Sequence, residues 1–160
     1  VTEPVIDAHI HIQPFHMMKP DVQRTFWQRK ENRAELERFA LDPALLLRHL
    51  DAEGVARAGL INYVSPDLMG FTDEVNDWMI RYASADPARL IAFGSVNPRF
   101  TAAVGDAVDR ILERGVKALK VHPPHQLFRA NAYLESLPRL AELYQRAEAA
   151  GVPVTIHTGT

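Results

Sequence analysis

The stretch Val5-Ile6-Asp7-Ala8-His9-Ile10-His11-Ile12 decides how this chain reads. It is rich in β-branched residues, with Asp7, His9 and His11 at alternate positions. In a strand, alternate side chains share a face. Asp7, His9 and His11 therefore line one side, and Ile6, Ala8, Ile10 and Ile12 the other. A buried strand commits a whole face to polar groups when that face does chemistry. Imidazole is a common metal donor, so His9 and His11 are expected to hold a metal ion. Asp7, one step lower, is expected behind the ligands or as polar filler in the core.

The rest of the composition bounds what such a site serves. The chain has 160 residues, 47% of them hydrophobic and 24% charged, which suits a globular domain with a sizeable core. The formal net charge is -2 and there is no basic tract, so there is no electrostatic footprint for nucleic acid or a membrane surface. There are no cysteines, which excludes disulfides and thiolate metal sites and suits a cytoplasmic location. No apolar run reaches the length of a membrane span, and the first residues do not read as a signal peptide. The expected partner is a small-molecule substrate, with no nucleic acid and no membrane; self-association into a homo-oligomer stays open.

Beyond the opening strand, residues 13–42 lack the punctuation of a short turn. Their charged sequence with scattered Phe26, Trp27, Leu36 and Phe39 predicts a helical insertion, or lid, over one end of the domain. Asp42-Pro43 then starts a helix, with Asp as N-cap and Pro at the first helical position. Strands are expected near 58–64, 90–96, 116–121 and 152–158. Between them lie helices capped by Thr72 and Thr101 and a helix over about 135–150. The junctions Gly54-Val55, Gly115-Val116 and Gly151-Val152 each end a helix and open a strand.

Strict alternation of strand and helix argues for parallel strands with right-handed crossovers. A flat nucleotide-binding sheet favours a Gly-rich loop after its first strand, and here that position holds His-Ile-His. A barrel instead gathers active residues at the C-terminal ends of its strands, where His11, Asn97, His122 and His157 fall. The fold class is therefore α/β, a TIM (β/α)8 barrel with only its first five strands present. Because such a barrel needs eight strands and roughly 250 residues, residues 1–160 are expected to be the N-terminal part of one barrel domain.

In Val154-Thr155-Ile156-His157-Thr158-Gly159, the apolar pair faces outward and Thr155 and His157 face the axis. His157 is therefore the expected third metal ligand. Ala118, Lys120 and His122 share a parity opposite to Leu119 and Val121. An inward lysine is costly to bury unpaired, so Lys120 should meet an anion: a substrate carboxylate, a metal-bound carbamate or an internal carboxylate. His122, His125, Asn97 and His16 join Lys120 as candidate substrate contacts. His49 lies within a helix and reads as structural.

Asp7-Ala8-His9-Ile10-His11, Lys120-Val121-His122-Pro123 and Ile156-His157-Thr158-Gly159 together resemble the amidohydrolase superfamily. Within it, they resemble the amidohydrolase-related branch that includes aminocarboxymuconate-semialdehyde decarboxylase. The resemblance implies a distorted (β/α)8 barrel holding a divalent metal, most often zinc, with His9, His11 and His157 as ligands. It also implies a catalytic His after strand six and an Asp after strand eight, so the general base is expected beyond Thr160. The function so implied is a metal-dependent hydrolase that uses a metal-activated water on an amide, ester or lactone. A non-oxidative decarboxylase of an unsaturated or aromatic acid is the second expectation, and a non-catalytic truncated barrel the third. Two other families share the first-strand His-x-His. The TatD-type nucleases need a glutamate on strand four, and the PHP-type phosphoesterases do not predict Ile-His-Thr-Gly on strand five.

Overall fold

Val5–His11 forms the first strand, β1, in the computed structural model, which describes residues 3–159. A single turn of 3₁₀ helix at Phe15–Met17 follows. The helices α1 (Pro20–Trp27), α2 (Arg33–Leu41) and α3 (Pro43–Ala52) come next. The chain then alternates through β2 (Val55–Ile61), α4 (Glu74–Ala83), β3 (Leu90–Gly94), α5 (Val104–Glu113) and β4 (Ala118–Val121). A short helix α6 (Pro123–Gln126), α7 (Leu140–Ala150) and β5 (Val154–Ile156) complete it. The strands lie in the order β1-β2-β3-β4-β5, and every pairing is parallel. Sequential parallel strands linked through helices are the curved wall of a (β/α) barrel.

The parity of each strand divides two cores. Leu119 and Val121 of β4 pack outward with Val104, Ala107, Val108 and Ile111 of α5 and Leu140, Leu143 and Ala147 of α7. The α5 residues recur at i, i+3, i+4 and i+7, the stripe of a helix lying on a sheet. A second outer core joins Leu46 and Leu50 of α3, Ala58 and Leu60 of β2 and Met79 and Tyr82 of α4. Facing the axis instead are Ile61, Phe93 and Ala118, with Ile91 beside them. Lys120 continues that inward row, two residues after Ala118.

Local signals fared unequally. Asp42 caps α3 as expected, its Oδ1 accepting the Ala44 amide at 2.9 Å. Gly151 ends α7 in the left-handed region at φ 64°, which the next strand's Val could not adopt cheaply. Thr72 and Thr101 do not cap helices. The Asn97 carbonyl accepts the amides of Phe100 and Thr101, so Thr101 is spent in a turn and α5 starts three residues later. At α4 the Thr72 and Asp73 carbonyls open the first turn, and no side chain caps it. The helix expected over 135–150 starts only at Leu140, because Pro138 disfavours helix at the residue before it.

Residues 13–42 contain the 3₁₀ turn, α1 and α2. Phe15 packs at a tilt against Phe26 and Trp27, with ring centroids 5.6 and 4.4 Å away. Phe15, Met17 and Val22 pack on a buried cluster of Met18, Tyr63, Val64, Met69, Phe71 and Val75. This places the segment over the C-terminal ends of β1 and β2. Among the described residues no helix is long and apolar enough to cross a membrane.

Candidate metal centre and substrate cavity

The first strand is bent where its histidines begin. Asp7 pairs with Ala58 and Ile10 with Leu60, so three steps of β1 span two of β2, a β-bulge at Ala8 and His9. Gly59 makes room for it: a Cβ there would lie 2.6 Å from the Ala8 carbonyl oxygen. The Asp7 carboxylate accepts the His9 amide at 3.0 Å, so Asp7 props the bulge and is exposed rather than core filler. Beyond it, His9 Nε2 and His11 Nε2 converge to 3.1 Å. Two nitrogens bound at 2.0–2.1 Å to one tetrahedral ion stand about 3.3 Å apart, so this pair fits two corners of such an ion. Burial lowers the pKa of both rings; that of His11 falls to about 4, helped by the neighbouring charges of His9, Lys120, His157 and His125. Both are thus neutral at pH 7, the protonation state a metal ligand needs.

The fourth and fifth strands bring a stack of rings to the same end. The His157 amide donates to the Val121 carbonyl at 3.0 Å, pinning it beside the end of β4. Its ring lies on His122, with centroids 4.1 Å apart and planes 10° from parallel. His122 stacks in turn on His125 at 4.1 Å and against Tyr63 at 4.4 Å. Burial, then the charges of His125, His157 and Lys120, drive the His122 pKa down to about 3. Among the described residues no three His or carboxylate groups gather closely enough to hold an ion together. His157 rests on the face of His122.

A cavity of about 390 Å³ opens over these groups. His11, Tyr63, His122, His125 and His157 form one side, and Phe15, Phe26, Lys30 and Leu36 of the insertion form the other. Lys120 is fully buried, its Nζ without a hydrogen-bond partner among the described residues and its pKa lowered by that burial. Its charge acts on His9, His11 and His122. The inward row of β4 therefore ends in a donor that lacks an acceptor.

The structure brings His9, His11, His122, His125, His157 and Lys120 into one electrostatic neighbourhood, and leaves two other candidates apart. Asn97 is buried and spent on the backbone, donating to the Val64 carbonyl at 3.3 Å and accepting the Arg99 amide at 3.1 Å. His16 is exposed on the 3₁₀ turn and lines a separate pocket with Gln23, Arg33 and Glu37. His49 rests on the Phe39 ring within α3. The general base expected beyond Thr160 lies outside the described residues. Two residues in contact with these histidines escaped sequence reasoning. Tyr63 shares the inward parity of Ile61, the signal that would have found it. Gln126 is fully buried, its Oε1 accepting the His122 amide at 2.7 Å and its Nε2 donating to the Val64 carbonyl at 3.1 Å.

The sequence profile of the amidohydrolase family matches residues 6–160, almost the whole chain. The chain belongs to the amidohydrolase family. No curated protein matches it significantly. Among solved structures it is similar to 5-carboxyvanillate decarboxylase of Novosphingobium aromaticivorans, solved with manganese and 3-methoxy-4-hydroxy-5-nitrobenzoic acid (TM-score 0.68, 18% identity, 98% of this chain and 50% of that one). It is also similar to a TIM-barrel protein of Bordetella bronchiseptica (0.67, 19%, 99% and 56%). A third is a probable 2-pyrone-4,6-dicarboxylic acid hydrolase of Acinetobacter baumannii with citric acid bound (0.62, 16%, 98% and 50%). At these identities the likeness is one of fold. This amidohydrolase-family chain spans about half the length of those chains, and its five strands take the barrel arrangement they share.

Proposed function

We propose that this chain carries the metal-binding half of an amidohydrolase-type site acting on a small-molecule substrate. The observation that carries the reading is the convergence of the His9 and His11 Nε2 atoms to 3.1 Å at the edge of a cavity bounded by the insertion. His9 and His11 would hold a divalent ion, and His157, whose ring lies on His122, is the third ligand we propose, with zinc the best match to an all-imidazole set. When bound, that ion would bring the pKa of a water towards neutrality and polarise a carbonyl. The chain's own groups do the rest. Lys120 supplies a cation for a substrate carboxylate, and His122 and His125 direct polar atoms at the substrate. Phe15 and Phe26 of the insertion keep water from the far wall. The reaction is then hydrolysis of an amide, ester or lactone.

One observation favours a second reading, non-oxidative decarboxylation. A fully buried amine without a partner suits a substrate that brings its own carboxylate, and an amide or lactone need not carry one. The 5-carboxyvanillate decarboxylase it resembles acts on such an acid. The two readings separate in one assay on zinc-loaded protein, offered aromatic and unsaturated acids alongside lactones and amides. Metal-dependent ring opening or amide cleavage supports the first, and metal-dependent carbon dioxide release the second. Neither, from a protein that also binds no metal, would leave only a non-catalytic binding module.

A further inference from the structure

We propose that Tyr63 is a positioning residue that fixes the tautomer of His125, so that His125 offers an N–H to substrate in the cavity. Tyr63 is buried just beyond the end of β2, and its hydroxyl lies 2.5 Å from His125 Nδ1. Among the described residues that contact is the phenol's only hydrogen bond. Were the proton on Nδ1, that N–H would donate to the phenol oxygen, and the phenol's own hydrogen would have no acceptor among the described residues. A doubly protonated ring leads to the same orphan. Buried donors without acceptors are strongly disfavoured, so the phenol donates and His125 keeps its proton on Nε2.

The backbone holds the ring in place for this. Ser65 Oγ donates to the His125 carbonyl at 2.6 Å, so the segment after β2 grips His125 at both ends. The His125 amide donates to His122 Nδ1 at 3.4 Å, and an amide can only donate, so His122 too carries its proton on Nε2. Both rings line the cavity. His122 and His125 thus present N–H donors to the cavity, which suits a carboxylate or a carbonyl oxygen gaining negative charge. The use of these N–H groups in turnover rests on the metal-dependent reading above; the tautomer does not.

The test is ¹⁵N NMR of the protein labelled at histidine, with a His125→Gln variant to assign the ring. The wild type should show His125 in a single neutral Nε2–H form, with Nδ1 in the unprotonated range. Tyr63→Phe keeps the aromatic packing on His122 and Phe71 and removes only the donor. The His125 Nδ1 signal should then shift towards the average of the two tautomers. A wild-type ring protonated on Nδ1 overturns the proposal by itself, even if the variant does not fold. So does a Tyr63→Phe ring that stays wholly Nε2–H. A protein that fixes the tautomer but turns over nothing would fail the functional reading and leave this one standing.

Discussion

Lys120 is the residue whose burial is hardest to account for without a ligand. Its amine is fully buried and has no hydrogen-bond partner among the described residues, an arrangement that costs free energy. Replacing it by methionine, similar in length and without the amine, is expected to raise stability by about 1–3 kcal/mol while weakening the binding of carboxylate substrates or analogues. Denaturant unfolding and a binding titration on the same variant check both halves. A lower stability would mean that the amine has a structural partner, and unchanged affinity would remove its place in the site. The histidine pair and Lys120 were legible in the sequence because both follow from the two-residue period of a strand. Tyr63 was not, because its partner His125 is 62 positions away and nothing local marks the contact.

At the scale of elements, the bulge in β1 shapes the histidine pair and residues 13–42 wall the cavity beside it. Gly59→Ala would drive a methyl into the Ala8 carbonyl and the Phe93 ring. Overpacking of this kind costs about 1–3 kcal/mol. Here it should also spread the His9–His11 pair and weaken metal uptake, as isothermal titration with zinc would show. Uptake unchanged beside a clear loss of stability would mean that the bulge does not set the ligand spacing. The insertion is tied down by Tyr82 of α4, whose hydroxyl donates to the Phe39 carbonyl of α2. Burial raises the Tyr82 pKa above its ordinary 10.0. A folded pKa raised above the unfolded one gives stability that is complete below pH 10 and lost as pH rises towards the folded value. Tyr82→Phe should therefore cost about 1 kcal/mol at neutral pH and flatten the alkaline fall measured by unfolding above pH 10. These ties lie between elements, so sequence pattern gave the helices of residues 13–42 without their docking. The misplaced caps have the same origin. Thr72 and Thr101 looked like capping residues in isolation, but the turns around Asn97 and Asp73 are closed by backbone carbonyls.

Across the whole molecule, alternation of strand and helix, the Gly-Val junctions and the His-Ile-His at the first strand's end pointed to a barrel. The five parallel strands in sequence order take that arrangement. What pattern alone could not supply was the depth of each group. The cavity between residues 13–42 and the rings of His157, His122, His125 and Tyr63 exists only when four strands and three helices meet. The central claim is that His9 and His11 belong to a metal centre, and elemental analysis of purified protein against a His9→Ala, His11→Ala double variant tests it most directly. The account predicts close to one divalent ion per chain in the wild type and almost none in the variant, both folded by circular dichroism. Equal metal content in the two would contradict it.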